Sequence, residues 1–257
     1  MVVVAFDTRF CRLGEAFFEI PDSRPNVDMM LYRQIPMLVP HARCQSFSTQ
    51  LINLSSNTGL LFNSISKGTR YEIRRAETRD RLNYVWADAA TPENIDDFAA
   101  FYTRFAHCKA LAPVSVRVLR RYAAAGVLDL SRISSESDTT LVWHAYYRTD
   151  RRVRLLYSAS DLHIRASDGQ LLGRANRYHH WRDMLRFKAA GIALFDLGGW
   201  AVDSRNPAYR NVSAFKAEFG GHPVLEYNCW QPITARGLAY LTLEALVGYA
   251  RRAIARR

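Results

Sequence analysis

The chain has 257 residues, of which 49% are hydrophobic and 23% are charged. This composition is that of a globular protein and excludes collagen-like, coiled-coil and disordered chains. With 35 Lys and Arg against 24 Asp and Glu, the formal net charge is +11 at pH 7. That charge favours nucleic acid, phosphorylated cofactors or anionic membranes as partners without choosing among them, and it also fits a merely soluble basic protein.

Features that report on the cellular compartment point to the cytoplasm. The longest uncharged stretch, residues 44–66, is rich in polar residues, so no transmembrane helix is predicted. The N-terminus has no basic segment before its short apolar run and is interpreted as a strand, not a signal peptide. No C-x-x-C pair occurs among Cys11, Cys44, Cys108 and Cys229, which favours buried free thiols over disulfides or a zinc site. We therefore expect a cytoplasmic protein with no bound metal.

Residues 1–62 are predicted to form a small β-rich lobe. β-Branched and aromatic residues alternate there with prolines, a pattern typical of short strands ended by turns. The predicted strands cover residues 2–6, 16–20, 30–39 and 46–54.

Residues 64–81 predict a helix with Ser64 or Ser66 as its N-cap. Ile73 and Ala76 share one face and are expected to pack inward. Another face is basic and carries Lys67, Arg70, Arg74, Arg75 and Arg79. This basic stripe is either a solvated surface balanced by acids of the same helix or a contact for phosphates. The six basic and three acidic residues of 67–81 favour phosphates.

The rest of the chain alternates between predicted strands and helices. Strands are predicted over residues 82–87, 127–134, 140–148, 152–160, 192–197 and 223–230. Helices are predicted over residues 94–108, 115–125, 173–190 and 208–219, followed by a C-terminal helix from residue 235. Before that last helix the order is β-α-α-β-β-β-α-β-α-β.

A segment rich in small residues, Gln170 to Ala175, lies at the predicted junction of a strand and a helix. Gly173 and Ala175 allow backbone N–H groups to approach a ligand, and a helix N-terminus supplies partial positive charge. The pattern predicts an anion site to which Arg174 adds charge. The alternative is a small-residue turn that lets the helix pack on the sheet.

A second segment leads from an amphipathic helix with Asn176 and Trp181 into an apolar strand that ends at Asp196 and two glycines. Polar residues and flexible backbone at the carboxyl end of a strand commonly line a crevice in α/β folds. The adjacent His179 and His180 point in directions roughly 100° apart on a helix, so they cannot share one metal ion. We expect one of them to be packed and the other to be solvated.

These two segments, a third over residues 211–221, and the element order resemble the GNAT acyltransferase fold. The resemblance is closer to its FemABX-like branch and covers about residues 50–233. The Gln170 to Ala175 segment looks like the Q/R-x-x-G-x-G/A loop that holds the pyrophosphate of coenzyme A in GNAT enzymes. The second segment resembles the A-N-x-x-x-x-W helix and F-D-x-G-G strand end of FemABX-like proteins. Phe215 to Gly220 resembles their F-K-x-x-F-G signature.

The resemblance implies a fold and an active centre. The fold is a mixed α/β, GNAT-like acyltransferase domain over residues 63–257, preceded by a β-rich partial lobe over residues 1–62. In FemABX proteins the signature lysine lies near the reaction centre, which implies that Lys216 stabilises the oxyanion of a tetrahedral intermediate. The alternative for Lys216 is an exposed helix lysine paired with an acid. Asp161 and Asp196 are candidates for the general base, or are structural residues that cap backbone N–H groups.

Two donors follow from the resemblance: acyl-CoA from the GNAT loop, and aminoacyl-tRNA from the FemABX segments and the basic helix. We favour aminoacyl-tRNA. The expected donor-binding residues are Gln170, Gly173, Arg174, Ala175, Asn176 and Trp181, and the expected tRNA or phosphate contacts are Lys67, Arg70, Arg74 and Arg75. The predicted function is an N-acyltransferase that forms an amide on an amine-bearing small molecule or peptide, with no permanently bound cofactor. The alternatives are an acyl-CoA-dependent GNAT enzyme and a non-catalytic, basic RNA-binding protein.

Overall fold

A computed structural model describes residues 2–22, 25–87, 90–201 and 204–254, with the side chains of 165–167 and 246–254 left aside. The chain divides into two compact units. The first unit comprises Met1–Ser48 and Leu225–Arg257, and the second comprises Thr49–Val224. This differs from the predicted division after residue 62, because the C-terminal segment belongs with the N-terminal strands.

The secondary structure of the described residues follows the predicted order. The strands are β1 (Val3–Asp7), β2 (Arg12–Phe17), β3 (Met29–Ile35), β4 (Arg43–Asn53), β5 (Asn83–Ala87), β6 (Leu128–Ser134), β7 (Thr140–Arg148), β8 (Arg152–Ser160), β9 (Leu194–Gly199) and β10 (His222–Pro232). The helices are α1 (Thr58–Ser64), α2 (Lys67–Thr78), α3 (Pro92–Cys108), α4 (Val116–Ala124), α5 (Leu162–Ser167), α6 (Gly169–Ala189), α7 (Pro207–Ala217) and α8 (Ala235–Ile254). The predicted helix over 64–81 is therefore α2, capped by Ser66, and the short helices α1 and α5 are additional.

In the first unit, β1 and β2 are antiparallel, β2 and β3 are parallel, and β3 pairs antiparallel with the end of β10. Cys44 and Cys229 form a disulfide, whereas Cys11 and Cys108 are free thiols. The expectation of four free cysteines is therefore wrong. The two partners are 185 residues apart in sequence, but they lie on β4 and β10, which are neighbours in the strand order.

In the second unit, the strand order β4-β9-β8-β7-β6-β5 is antiparallel except between β8 and β9, which are parallel. The predicted neighbour relation of β8 and β9 is confirmed, and so is the predicted mixed sheet. These two strands pair at only three positions, the last being Arg154 with Asp196. β8 continues to Ser160 and β9 to Gly199 beyond that pair. We call the region beyond the Arg154–Asp196 pair the β8–β9 split.

A bulge in β8 lies next to this split. Ala145 of β7 pairs with Tyr157 and the following Tyr146 pairs with Leu155, so Leu156 is an extra residue in β8. A bulge bends the strand and increases its twist. Next to active sites, bulges commonly change the direction of a side chain or end the pairing of two strands.

The core of the second unit includes side chains of α6 and of the central strands. Tyr146, Tyr178, Met184, Phe187 and Phe195 are all at most 2% exposed in this cluster. Burying one such side chain contributes roughly 1.5–3 kcal/mol, so α6 is held firmly within the unit. Among the described residues, no helix has both the length and the apolar character needed to cross a bilayer.

Candidate active site

Lys216 is a buried lysine in the last turn of α7, only 9% exposed. Its Nζ donates a hydrogen bond of 2.6 Å to the carbonyl oxygen of Gly199, at the end of β9. Burial lowers the pKa of Lys216 to about 8, the carboxylate of Asp196 opposes this shift, and the charge of Arg154 adds to it. The expected alternative of an exposed lysine is wrong. The ammonium is held at the end of the strand that borders the split.

Packing at the end of α7 explains the residues that follow Lys216 in the F-K-x-x-F-G-like segment. Phe219 is fully buried in the core, and Gly220 and Gly221 have φ of +76° and +80°. A Cβ on Gly221 would lie 2.3 Å from the carbonyl oxygen of Leu51, so only glycine fits there. Gln50 donates from Nε2 to the carbonyls of Lys216 at 3.2 Å and Gly220 at 2.5 Å. Packing thus accounts for Phe219 and the two glycines, but it does not require a lysine at 216.

Asp196 is fully buried and its carboxylate is occupied by hydrogen-bond donors. Oδ1 accepts from the Gly198 N–H at 2.7 Å and from the Thr49 hydroxyl, and Oδ2 accepts from Arg152 at 2.7 Å. Of the two roles considered for Asp196, the capping of a backbone N–H group is confirmed. These bonds fix the Gly198–Gly199 end of β9 and, through it, the carbonyl that Lys216 contacts.

Gly198 leaves space beside the ammonium. It has a φ of +75°, and a Cβ there would lie 3.2 Å from the carbonyl oxygen of Leu155 and 4.0 Å from Lys216 Nζ. A side chain at this position would therefore narrow the β8–β9 split next to Nζ. The glycine keeps the neighbourhood of the ammonium open.

The predicted anion loop lies inside α6 and not at its start. The helix begins at Gly169, and the N-cap Asp168 accepts from Leu171 N–H at 2.8 Å. The N–H groups of Gly173 and Ala175 therefore fall where helical N–H groups bond to carbonyls four residues earlier. Arg174 is bound to Asp80 at 2.5 and 3.1 Å, and Ala175 is fully buried. This corrects the expected placement of Gly173, Arg174 and Ala175, because the cap that starts the helix, Asp168, lies five residues before Gly173.

The other residues expected to bind the donor differ in exposure. Gln170 is exposed in the first turn of α6, and Asn176 is half-buried with its Oδ1 at 3.3 Å from His144 Nε2. Trp181 is 8% exposed and packs against Phe62 with ring centroids 4.9 Å apart, so it belongs to the core. Asp161 caps α5 by accepting from the N–H groups of residues 163 and 164 at 2.8 and 3.2 Å.

A buried polar cluster beneath α6 was not predicted. Its centre is the Asp183 carboxylate, which is fully buried and accepts hydrogen bonds of 2.7 to 2.8 Å from Tyr84, Ser131, His144 and Tyr146. These donors come from β5, β6 and β7, so the cluster ties α6 to three strands. A buried carboxylate is tolerated where its lone pairs are satisfied in this way.

His144, His179 and Asp183 each offer one ligand atom, and these atoms lie within 4.8 Å of one another. The two imidazoles are stacked at 3.7 Å with an interplanar angle of 3°. An ion in the plane of one ring lies well outside the plane of the other, so their lone pairs do not converge on one metal. The geometry favours a hydrogen-bonded cluster.

Both members of the His179–His180 pair are buried, at 0% and 2% exposure, so the expectation that one is solvated is wrong. α6 is covered on both of the faces that they occupy. Burial, followed by the charges of neighbouring groups, holds the pKa of each well below its usual value. Both are therefore neutral at pH 7.

Two acids that could balance the basic stripe of α2, Glu72 and Asp80, are paired with arginines of α6. Ile73 and Ala76 are buried, as predicted. Glu72 pairs with Arg177 of α6 at 3.1 Å, and Asp80 pairs with Arg174. Arg70 donates to the carbonyls of residues 63 and 65 at 2.7 and 2.6 Å and so supports the end of α1. Of the remaining stripe residues, Lys67, Arg74 and Arg79 are exposed and Arg75 is half-buried.

The chain is similar in structure to several solved proteins. FemX superposes with a TM-score of 0.59 at 13% identity, over 71% of this chain and 61% of FemX. This chain has a FemX-like fold. The predicted resemblance to the FemABX-like branch of the GNAT fold is confirmed at the level of the fold, and the match spans about three fifths of FemX.

Two further structures cover more of the chain. The C-terminal domain of a putative lysylphosphatidylglycerol synthetase from Agrobacterium fabrum superposes with a TM-score of 0.56 at 13% identity, over 95% of this chain and 85% of that domain. L-PGS from Bacillus licheniformis superposes with a TM-score of 0.51 at 12% identity, over 86% of this chain and 73% of that protein. No family model and no curated protein matches the sequence.

Proposed function

We propose that this protein is an acyltransferase that transfers an aminoacyl group from aminoacyl-tRNA to an amine and forms an amide bond. The observation that carries the proposal is the buried Lys216 ammonium, fixed at the edge of the β8–β9 split by its bond to Gly199. One of the similar structures is named as part of a putative lysylphosphatidylglycerol synthetase, which supports an aminoacyl group as the one transferred.

The proposed reaction places charge beside Lys216. The amine nitrogen of the acceptor attacks the ester carbonyl carbon of the donor, and the carbonyl oxygen becomes an oxyanion. When this intermediate collapses, the C–N bond remains, the ester C–O bond breaks, and the proton lost by the amine ends on the leaving hydroxyl. A fixed donor near such an oxyanion is worth about 3 to 4 kcal/mol.

Lys216 has the hydrogen-bonding capacity for this role. An ammonium has three donors, of which one is used by the carbonyl of Gly199. Among the described residues Nζ makes no second hydrogen bond, which leaves two donors for the oxyanion. Asp196 acts as a positioning residue, because its bond to the Gly198 N–H fixes the end of β9 that holds Nζ. We assign no general base: the carboxylates of Asp161 and Asp196 are both used in structural hydrogen bonds.

The basic stripe supports tRNA as the donor. Lys67 and Arg74 are exposed, and two acids that could balance them are bound to α6. Together with the net charge of +11, these cations suit the phosphate backbone of an RNA. For the aminoacyl end of the donor, Gln170 and Asn176 are the expected residues that remain accessible.

The test is a donor screen. Purified protein is offered charged tRNA or acyl-CoA together with a pool of amines, and products are identified by mass spectrometry. We expect amide products from charged tRNA that disappear after ribonuclease treatment and in the Lys216→Ala variant, but persist in Lys109→Ala, an exposed lysine after α3. Ribonuclease-resistant transfer from acyl-CoA would replace the proposed donor. Full transfer by Lys216→Ala would remove the proposed role of the lysine.

A further inference from the structure

The first unit contains a cavity of about 430 Å³ to which no role has yet been given. Its walls come from the turn between β1 and β2, the segment just before β3, and the start of α8. We call it the arginine cavity, after Arg9, Arg12 and Arg236 in its lining. Its volume lies within the range of roughly 300–1,000 Å³ that is usual for small-molecule sites.

The charges in the lining favour an anion. Arg9, Arg12 and Arg236 are opposed by Asp7 and Asp28, a balance of 3 − 2 = +1. Asp28 is already engaged: its carboxylate accepts from the Arg12 N–H at 2.9 Å and from the Thr234 hydroxyl at 2.7 Å, while Arg236 lies 4.0 Å away. The hydrogen bonds from Arg12 and Thr234 also hold the pKa of Asp28 below its usual value. Asp28 thus joins the walls together, and the guanidinium groups face solvent.

The lining also has an exposed aromatic ring. The side chain of Phe10 is 58% exposed, and the Arg9 guanidinium lies 5.7 Å from its ring centroid. An exposed ring costs free energy in water, and next to arginines it provides a stacking surface for a planar base. A phosphate and a planar ring joined in one ligand of this size describe a nucleotide.

We propose that the arginine cavity binds a nucleotide unit, with its phosphate on Arg12 and Arg236 and its base stacked on Phe10. A free nucleotide and one nucleotide of an RNA strand share this chemistry. The proposal goes beyond the acyltransferase function, because none of the residues assigned to catalysis or to tRNA contact lines the cavity.

Isothermal titration calorimetry with AMP, a trinucleotide RNA and inorganic phosphate tests the proposal on the full chain. We expect AMP to bind, and the Arg12→Ala/Arg236→Ala double variant to weaken it by roughly tenfold or more, because charge-assisted bonds to phosphate are lost. The Arg12 N–H that bonds to Asp28 is retained in this variant. Phe10→Ala should weaken AMP but not inorganic phosphate, and Arg117→Ala, an exposed arginine of α4, should change neither.

The outcomes distinguish a free nucleotide from RNA as the ligand. They also distinguish the nucleotide-binding proposal from the acyltransferase proposal. Tighter binding of the trinucleotide than of AMP assigns the site to RNA, and the reverse assigns it to a free nucleotide. The proposal is overturned if neither AMP nor the trinucleotide binds. It is overturned as well if the double variant binds both ligands with the affinity of the wild-type protein. It is also overturned if Phe10→Ala leaves AMP binding unchanged. Lys216→Ala should bind AMP normally, so failure of the acyltransferase proposal would leave this result intact.

Discussion

Lys216 of α7 donates its hydrogen bond to the carbonyl oxygen of Gly199, 17 residues earlier at the end of β9. The bond joins a helix terminus to a strand terminus and leaves the ammonium in a buried position with a pKa lowered to about 8. A buried ammonium is costly unless its donors are used. The arrangement therefore holds the positive charge of Lys216 at the position proposed for the oxyanion of the tetrahedral intermediate.

Replacement of Lys216 by alanine should lower kcat and kcat/KM together by roughly 10² to 10³, because the lost interaction is made only in the transition state. Steady-state kinetics with charged tRNA measure this. Lys216→Arg should recover part of the loss, since it retains a charged donor. Unchanged kcat with only an altered melting temperature would indicate a structural lysine.

The activity should depend on the charge of Lys216. Because its pKa is lowered to about 8, the ammonium is present below that pH and is lost as pH rises through it. We expect kcat to fall as pH rises through about 8, whereas Lys216→Arg should lack this fall because arginine stays charged. Pre-charged tRNA and a fixed acceptor are used at each pH. A rise of wild-type kcat through the same range, absent from the arginine variant, would instead identify the neutral lysine as a base.

Gly198→Ala should lower kcat by more than its loss of stability accounts for. The residue has a φ of +75°, and the new Cβ would lie 3.2 Å from the Leu155 carbonyl oxygen and 4.0 Å from Nζ. Gly126→Ala is the matched control, with a φ of +69° and no atom within 4 Å of the new Cβ. Both variants should lose about 1–2 kcal/mol of unfolding free energy from backbone strain. Only Gly198→Ala should lose kcat, and equal kcat in the two variants would count against the open space at the split.

The disulfide between Cys44 and Cys229 should contribute to stability. It closes a loop of 185 residues, and a bond of this kind stabilises by about 2 to 5 kcal/mol through the unfolded chain. Reductant, or the Cys44→Ala/Cys229→Ala double variant, should lower the melting temperature, while Cys108→Ala should not, because that thiol is free and exposed. A melting temperature insensitive to reductant, with two additional thiols titrated in the native protein, would show that the bond does not form.

Local sequence patterns predicted the helices and strands well. They did not predict contacts between residues that are distant in sequence. The bounds of β7 and β8 agree with the prediction because alternation and the turn at residues 149–151 mark them within a few residues. The Asp183 cluster could not be predicted, because its donors lie on three strands that are 37 to 99 residues from Asp183 in sequence. The Cys44–Cys229 bond was missed for the same reason.

Within the candidate site, the role of a predicted residue depends on contacts that the sequence does not contain. Lys216 was selected because its segment resembles the F-K-x-x-F-G signature of FemABX proteins. Asp196 could not be separated from a structural residue until its three donors were known. The predicted helix start at Gly173 was wrong, because a glycine can lie at the start of a helix or one turn inside it.

The basic stripe of α2 should contribute to the binding of charged tRNA and not to the chemical step. Charge reversal by Lys67→Glu/Arg74→Glu should raise KM for charged tRNA and leave kcat at saturation unchanged, since both side chains are exposed and neither bonds to Lys216. If each cation contacts one phosphate, the slope of log affinity against log salt should fall by about 2 in magnitude. The matched control is Arg104→Glu/Lys109→Glu, which makes the same charge change at exposed positions in and after α3. An equal rise in KM in both double variants would mean that net charge alone, and not α2, attracts the donor.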